Sequence, residues 1–233
     1  MTPRMTKKEL RQDPVMEAMQ KALGFGQQYG KWLALGAAGI IILIAVALLV
    51  IQGRQAAAEQ AATELMMARS QIMQGQLAQA RSSLESVVTR YGSSDAAKEA
   101  YLLLGDVELA MDNAEGARRA FSEALARLDE PILTMGAQRG LAAALEDLGR
   151  FAEASQTYEE LAGASLDPVA IENLVNAART AREAGDRDRA YSLYERALAM
   201  AEEKAPGRVS QIEMSMAEIA AERDMAAGEL LGS

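Results

Sequence analysis

The sequence contains no cysteine and no histidine among its 233 residues, and aromatic residues make up only 4%. Their absence excludes disulfide bonds, zinc sites built from cysteine or histidine, and any nucleophile that needs a histidine base. What dominates instead is Ala, Leu, Glu, Arg, Gln and Met, which are strong helix formers. Since no stretch outside one long apolar run shows the alternation of a half-buried strand, the composition predicts an all-α protein.

The apolar run covers residues 32–51 and carries no charge over its twenty residues. A helix of that length spans about 30 Å, the thickness of a bilayer's hydrocarbon core. A buried core helix would normally show a polar face. A signal peptide would have a shorter apolar region, a shorter lead-in and a small-residue cleavage site. We therefore interpret residues 32–51 as an uncleaved transmembrane anchor.

Charge is distributed unevenly on the two sides of this anchor. Residues 1–31 carry a net charge of +3, whereas residues 52–233 carry −12. The positive-inside rule predicts that the basic segment, residues 1–31, is cytoplasmic and that the large domain lies on the extracytoplasmic side of a bacterial inner membrane. Apolar residues at helical spacing after Asp13-Pro14 predict a short amphipathic helix within this segment, with a plain solvated lead-in as the alternative. An acidic domain also argues against nucleic acid as a partner. Three glycines, Gly24, Gly26 and Gly30, predict a break in the helix before the anchor.

A repeat of 36 or 37 residues follows the anchor. Helix turns are predicted at Gly75, Asp112, Gly149 and Gly185. A small residue comes five positions after each turn, and a large one four positions later: Ala80 and Leu84, Ala117 and Phe121, Ala154 and Tyr158, Ala190 and Tyr194. A period of this size with paired helices is typical of an α-solenoid, in which each unit must stack on its neighbours to bury its apolar face.

The spacing closely resembles the tetratricopeptide repeat. The second unit is the clearest, with Tyr101-x2-Leu104-Gly105 followed by Ala117-x3-Phe121. The predicted organisation is an anchor at 32–51, a stalk at 52–60, about four helix pairs at 61–206, and a capping helix and tail at 207–233. The resemblance assigns the spaced small and large residues to packing between helices, and so to structure.

No catalytic constellation, phosphate-binding loop or metal-ligand cluster is present in the sequence, which predicts a protein that is not an enzyme and needs no cofactor. The layout of a basic segment, one anchor and a tetratricopeptide-like domain resembles the ancillary subunit of the bacterial Sec translocon. That resemblance implies translocon subunits and periplasmic chaperones as partners. Repeats of this type bind peptides or join proteins into assemblies.

The resemblance also implies that the first helix of each unit lines an inner surface. In the first two units the repeat register places nine predicted groove residues there: Leu65, Met66, Arg69, Ile72, Met73, Leu102, Leu103, Asp106 and Leu109. These are mostly apolar, whereas the third and fourth units present Arg139, Glu146, Asp147, Asn176, Arg179 and Arg182. An apolar groove favours an adaptor that holds extended or unfolded clients. A charged surface favours the alternative, a scaffold that joins folded envelope proteins or its own copies.

Overall fold

The computed structural model describes residues 14–231, and this part of the chain is almost entirely α-helical. The predicted all-α class is therefore confirmed, while most of the predicted basic segment, residues 1–13, lies outside the described residues. The helices within the described range are α1 (Pro14–Met73), α2 (Leu77–Arg90), α3 (Asp95–Ala110), α4 (Ala114–Leu125), α5 (Pro131–Asp147), α6 (Phe151–Ala164), α7 (Asp167–Glu183), α8 (Arg187–Lys204) and α9 (Val209–Leu231), with a 3-10 turn at Pro206–Arg208.

The chain divides into two compact units, Met1–Ala56 and Ala57–Ser233. The first unit contains the apolar part of α1, where the mean hydropathy reaches 3.0 and the side chains are not buried by protein. Its length and composition allow this helix to cross a membrane. The predicted helix break at Gly24, Gly26 and Gly30 is wrong, because α1 runs through all three. A glycine inside a helix costs only about 1 kcal/mol, and glycine is common in membrane-spanning helices.

The second unit is an array of helix pairs. The end of α1 pairs with α2 through Ala68, Ala80 and Leu84, which share one buried cluster. The pairs α3–α4, α5–α6 and α7–α8 follow, each packed on the next, and α9 packs on α8. Four pairs and a final single helix are the architecture that the repeat predicts.

The turns within the pairs lie at the four positions that the sequence predicts. Gly75, Gly149 and Gly185 have φ angles of 71°, 71° and 83°, and Asp112 has a φ of 58°. This left-handed conformation ends each first helix, and the next amide closes the turn on a carbonyl five residues back, as in Asn113 N to Glu108 O at 2.9 Å. Glycine adopts it without steric cost, whereas Asp112 is the one non-glycine at such a turn.

The spaced small and large residues form the core between the helices. Ala80, Ala117, Ala154 and Ala190 are fully buried, and their large partners Leu84, Phe121, Tyr158 and Tyr194 are at most 6% exposed. The Phe121 ring lies between Gly105 of α3 and Gly140 of α5, where an added Cβ would come within 2.5 Å and 2.2 Å of ring carbons. Phe121 therefore joins the second repeat to the third, and both glycines are needed for that close approach.

Candidate protein-binding groove

A groove of about 650 Å³ opens between the first helices of the first three repeats. It is bounded by the last part of α1, the start of α3, and the segment that leads into α5. Its lining residues are Ala62, Leu65, Met66, Arg69, Asp95, Ala96, Lys98, Glu99, Leu128, Asp129, Glu130 and Leu133. Its volume is within the range of about 300–1,000 Å³ that is usual for ligand pockets in proteins.

The floor of the groove is apolar. Met66 is 64% exposed and Leu133 is half-buried, so both present apolar atoms to an incoming group. Leu65 is only 5% exposed and belongs to the core beneath. Because a methionine side chain is unbranched and flexible, Met66 can adapt to partner side chains of different shape.

Ion pairs form the rim and connect the repeats across the groove. Arg69 of α1 donates to Glu99 of α3. Lys98 Nζ lies 3.3 Å from a carboxylate oxygen of Asp95 and 3.3 Å from one of Asp129. The hydrogen bonds to Asp95 and Asp129 raise the pKa of Lys98 above its ordinary value. These pairs are exposed and individually weak, so they orient the walls more than they stabilise the fold.

Of the nine residues predicted to line the groove, three do so: Leu65, Met66 and Arg69. Ile72 and Leu103 pack instead against the cluster of the first two repeats, and Leu102 and Leu109 pack against the cluster around Phe121. Met73 is 83% exposed, and Asp106 is exposed. The four packed residues are therefore partly core, because α3 lies between two neighbouring helix pairs and buries apolar side chains towards both.

Asp106 differs from the other acidic residues of this face. It lies two helical turns after Glu99 on α3, so both point to the same side. Desolvation by the surrounding protein raises the pKa of its carboxyl group, and no neighbouring cation counters that shift. The residue is nevertheless exposed to water.

Sequence reasoning missed the groove residues that come from the ends of helices. Asp95, Lys98, Asp129, Glu130 and Leu133 are absent from the predicted set but line the groove. The repeat register identifies only positions along the middle of each first helix. Pro131 does signal the start of α5, so the preceding Asp129 and Glu130 could have been placed at a helix end.

The inner face of the last repeat is charged and paired within the chain. Arg179 of α7 lies 2.7 Å from Glu146 of α5, and the Tyr158 hydroxyl donates to the same carboxylate at 2.9 Å. Arg182 contacts Glu218 at 3.0 Å and also pairs with Glu222, both on α9. The capping helix therefore pairs with Arg182 of the last repeat within the chain.

Two stretches of the chain match family models, each described as a tetratricopeptide repeat: residues 62–94 and residues 174–206. They coincide with the first and the last helix pair. Together with the four stacked pairs, these matches show that the chain carries tetratricopeptide repeats. Such repeats are protein-interaction scaffolds, typically without enzymatic activity, so the partners are proteins. Among the described residues, no group of three or more Asp or Glu is arranged to hold a metal ion.

Solved structures of other repeat proteins share this fold. A crystal structure of the MamA protein aligns over 63% of this chain and 75% of its own, with a TM-score of 0.54 and 25% identity. Tetratricopeptide-like repeats of a putative kinesin light chain from Podosopora anserina align over 75% of this chain and 92% of theirs, with a TM-score of 0.57 and 18% identity. No curated protein sequence matches the chain significantly.

Proposed function

We propose that this protein is a membrane-anchored adaptor that binds extended or unfolded segments of other proteins in the groove of its first three repeats. The observation that carries this proposal is the combination of an open apolar floor with a charged rim. An extended segment can place apolar side chains on the floor while its backbone amides and carbonyls meet the polar rim. The proposed occupants are nascent or unfolded clients and the chaperones that deliver them.

Exposed apolar side chains around the groove support this proposal. Met66 is 64% exposed, while Met73 and Ile132 are each 83% exposed. Ile132 precedes Leu133 of the groove wall. Exposed large apolar residues are candidates for contact with a partner, and methionine is favoured at surfaces that accept varied partners.

The proposed site of action is the extracytoplasmic side of a bacterial inner membrane. The charge difference between residues 1–31 and 52–233 supports an N-terminus in the cytoplasm, and the apolar part of α1 supports a single anchor. The layout resembles the ancillary Sec subunit, so translocon subunits and periplasmic chaperones are the partners that we propose to test first.

The alternative function is a scaffold that joins folded envelope proteins or its own copies. The paired charges of the last repeat favour it, because such a surface offers rim contacts for a folded partner and little for an unfolded one. The two functions differ in the surface they need. An adaptor depends on the floor of the groove, whereas a scaffold would use the charged last repeat.

A pair of matched substitutions distinguishes them. Met66→Glu places a negative charge on the groove floor. Met214→Glu, the control, places a negative charge on α9 at a methionine that is 66% exposed. The probe is a permanently unfolded carboxymethylated protein, and its binding to the full chain in detergent is measured by fluorescence anisotropy. We expect Met66→Glu to weaken binding roughly tenfold or more, which corresponds to about 1.4 kcal/mol, and Met214→Glu to leave it unchanged. Equal binding by both variants and the wild type would contradict the adaptor function.

Protease protection tests the proposed topology. Protease added to spheroplasts should remove the second unit, residues 57–233, and leave a protected fragment that contains the N-terminus. Lysed spheroplasts provide the control, since protease then reaches both sides. Digestion of the second unit only after lysis would show that the orientation is reversed.

A further inference from the structure

Methionine is the only sulfur-containing amino acid in this chain, which has 13 methionines and no cysteine. The thioether is therefore the side-chain group that peroxides oxidise most readily here. Because the methionines are numerous, their exposure and position decide which of them an oxidant reaches and with what effect. Met66 is 64% exposed and Met67 is 52% exposed, whereas Met135 and Met200 are half-buried.

Met66 combines high exposure with a position in the groove. Of the methionines among the residues that the structure describes, it alone lines the groove. Ala62, one helical turn earlier and also in the lining, is too small to cover the thioether. Met67 does not line the groove, because successive residues of a helix point in directions about 100° apart. Two adjacent methionines are thus open to the same oxidant, and one of them faces the groove.

We propose that Met66 is a site of reversible oxidation by peroxides, and that its sulfoxide closes the groove to client segments. This inference rests on the proposed function, since it adds regulation to the groove in which clients bind. The oxidised form belongs to conditions in which peroxide is present, and the thioether form to conditions in which it is removed.

The oxidation step needs hydrogen peroxide or an organic hydroperoxide and no catalytic residue of the chain. A lone pair of the Met66 sulfur attacks one peroxide oxygen, and the S–O bond forms as the O–O bond breaks. The sulfur is oxidised by two electrons and the peroxide is reduced by two. Solvent carries the proton of the attacked oxygen to the departing one, which leaves as water or as an alcohol.

The sulfoxide changes the groove floor from apolar to polar. Its oxygen is a hydrogen-bond acceptor, and an apolar client side chain that covers it leaves it without a partner. Arg69, one turn later on α1 and also in the lining, offers donors on the same face of the helix. Met66 is outside the buried cluster that joins the end of α1 to α2, so oxidation should weaken client binding and spare the fold.

Reduction of the sulfoxide restores the apolar floor. Thiol-dependent methionine sulfoxide reductases, one type for each epimer, release the oxygen as water while two thiols are oxidised to a disulfide. The chain has no cysteine, so the reducing thiols must come from a separate protein. Since the Met66 side chain is 64% exposed, a reductase can reach it without unfolding the repeat.

Two neighbouring substitutions test this inference. Wild type, Met66→Leu and Met67→Leu, each as the full chain in detergent, are treated with hydrogen peroxide, which catalase then removes. Leucine is apolar, close to methionine in volume and resistant to this oxidation. Binding of the carboxymethylated unfolded protein is measured by fluorescence anisotropy before and after treatment, and again after incubation with both reductase types and a thiol. Mass spectrometry with peptide fragmentation quantifies the sulfoxide at each of the two positions.

We expect peroxide to weaken client binding by wild type and Met67→Leu roughly tenfold or more, and the reductases to restore it. Met66→Leu should bind equally well before and after treatment, although it carries the other methionines. An unchanged melting curve for oxidised wild type should exclude unfolding as the cause.

Two results would overturn the inference and leave the adaptor function intact. One is a loss of binding in Met66→Leu equal to that of wild type, and the other is unchanged binding by wild type whose Met66 is fully oxidised. Failure of untreated wild type and of both untreated variants to bind the unfolded protein would instead count against the proposed function, and against this inference with it.

Discussion

The inner faces of the first three repeats and of the last repeat with its capping helix differ in how their charges are satisfied. In the last repeat, Arg179 pairs with Glu146, and Arg182 pairs with two glutamates of α9. In the first three, the ion pairs lie at the rim of an open groove, and Asp106 has no partner among the described residues. The two regions are built from the same repeat with the same turns.

This difference shows that one repeat geometry supports two kinds of surface. Where consecutive first helices carry opposite charges, as Glu146 of α5 and Arg179 of α7 do, the charges pair within the chain. Where the inner surface presents an exposed methionine such as Met66, it remains open as a groove. Repeat proteins allow such differences because each unit contacts only its neighbours.

The largest expected effect comes from removing a side chain that joins two repeats within the first region. Phe121 is fully buried between Gly105 and Gly140, so Phe121→Ala leaves a cavity at the contact of the second and third repeats. We expect a loss of about 3–5 kcal/mol and unfolding in two steps instead of one. A circular dichroism melt of the full chain in detergent measures both. Phe121→Leu keeps most of the volume and should have an intermediate effect. One unshifted transition for Phe121→Ala would show that the second and third repeats are not coupled through this ring.

An intermediate effect is expected from overpacking within the first three repeats. Ala117 in α4 and Ala154 in α6 are fully buried where the two helices of a pair approach each other. Ala117→Leu and Ala154→Leu should each cost about 1–3 kcal/mol, because the helices must separate. Ala152→Leu, at an exposed position of α6, is the control and should change little. Melting curves unchanged by both core substitutions would show that the repeat register is wrong.

A smaller effect is expected at the capping helix. Arg182→Gln removes the cation that holds Glu218 and Glu222, and we expect faster hydrogen exchange in α9 over residues 209–222 with little change elsewhere. Arg208→Gln is the control, because that guanidinium lies 4.0 Å from Glu172, its single ion-pair partner among the residues whose side chains are described. Unchanged exchange in α9 for Arg182→Gln would show that packing of Ile212 and Ile219 alone holds the cap.

The same contact predicts the direction of a pH effect. The hydrogen bond from Arg182 is the main cause that lowers the pKa of Glu222 below its ordinary value of 4.5 in the folded protein. A carboxylate with a lowered folded pKa stabilises at pH values above its unfolded pKa, and this contribution is lost as the pH falls through the folded value. Protection of α9 in wild type should therefore decrease below pH 4.5 towards that of Arg182→Gln, with both compared at the same pH.

Much of the fold could be predicted because the same turn residues and the same spacing of small and large residues recur in each repeat. Gly75, Gly149 and Gly185 mark positions that need a left-handed backbone, and Asp112 is recognisable only because it stands at the same interval. The spacing of small and large residues likewise predicts which side chains are buried, since both helices of a pair must approach closely. The groove was less predictable. Gly140 has no special place in the repeat pattern, yet it receives the Phe121 ring.

The sequence by itself determined the helix pairs, their turns, the core positions and the presence of one long apolar helix, because these depend on local backbone preference and on the period of apolar residues. Only the tertiary structure decided against which neighbouring helix pair each leucine of α3 is buried. It also decided which acidic and basic residues form ion pairs and which carboxylates have no ion-pair partner among the described residues. Those outcomes depend on distances between residues about thirty positions apart in the chain. Stacking sets such distances, and the register within one helix does not contain them.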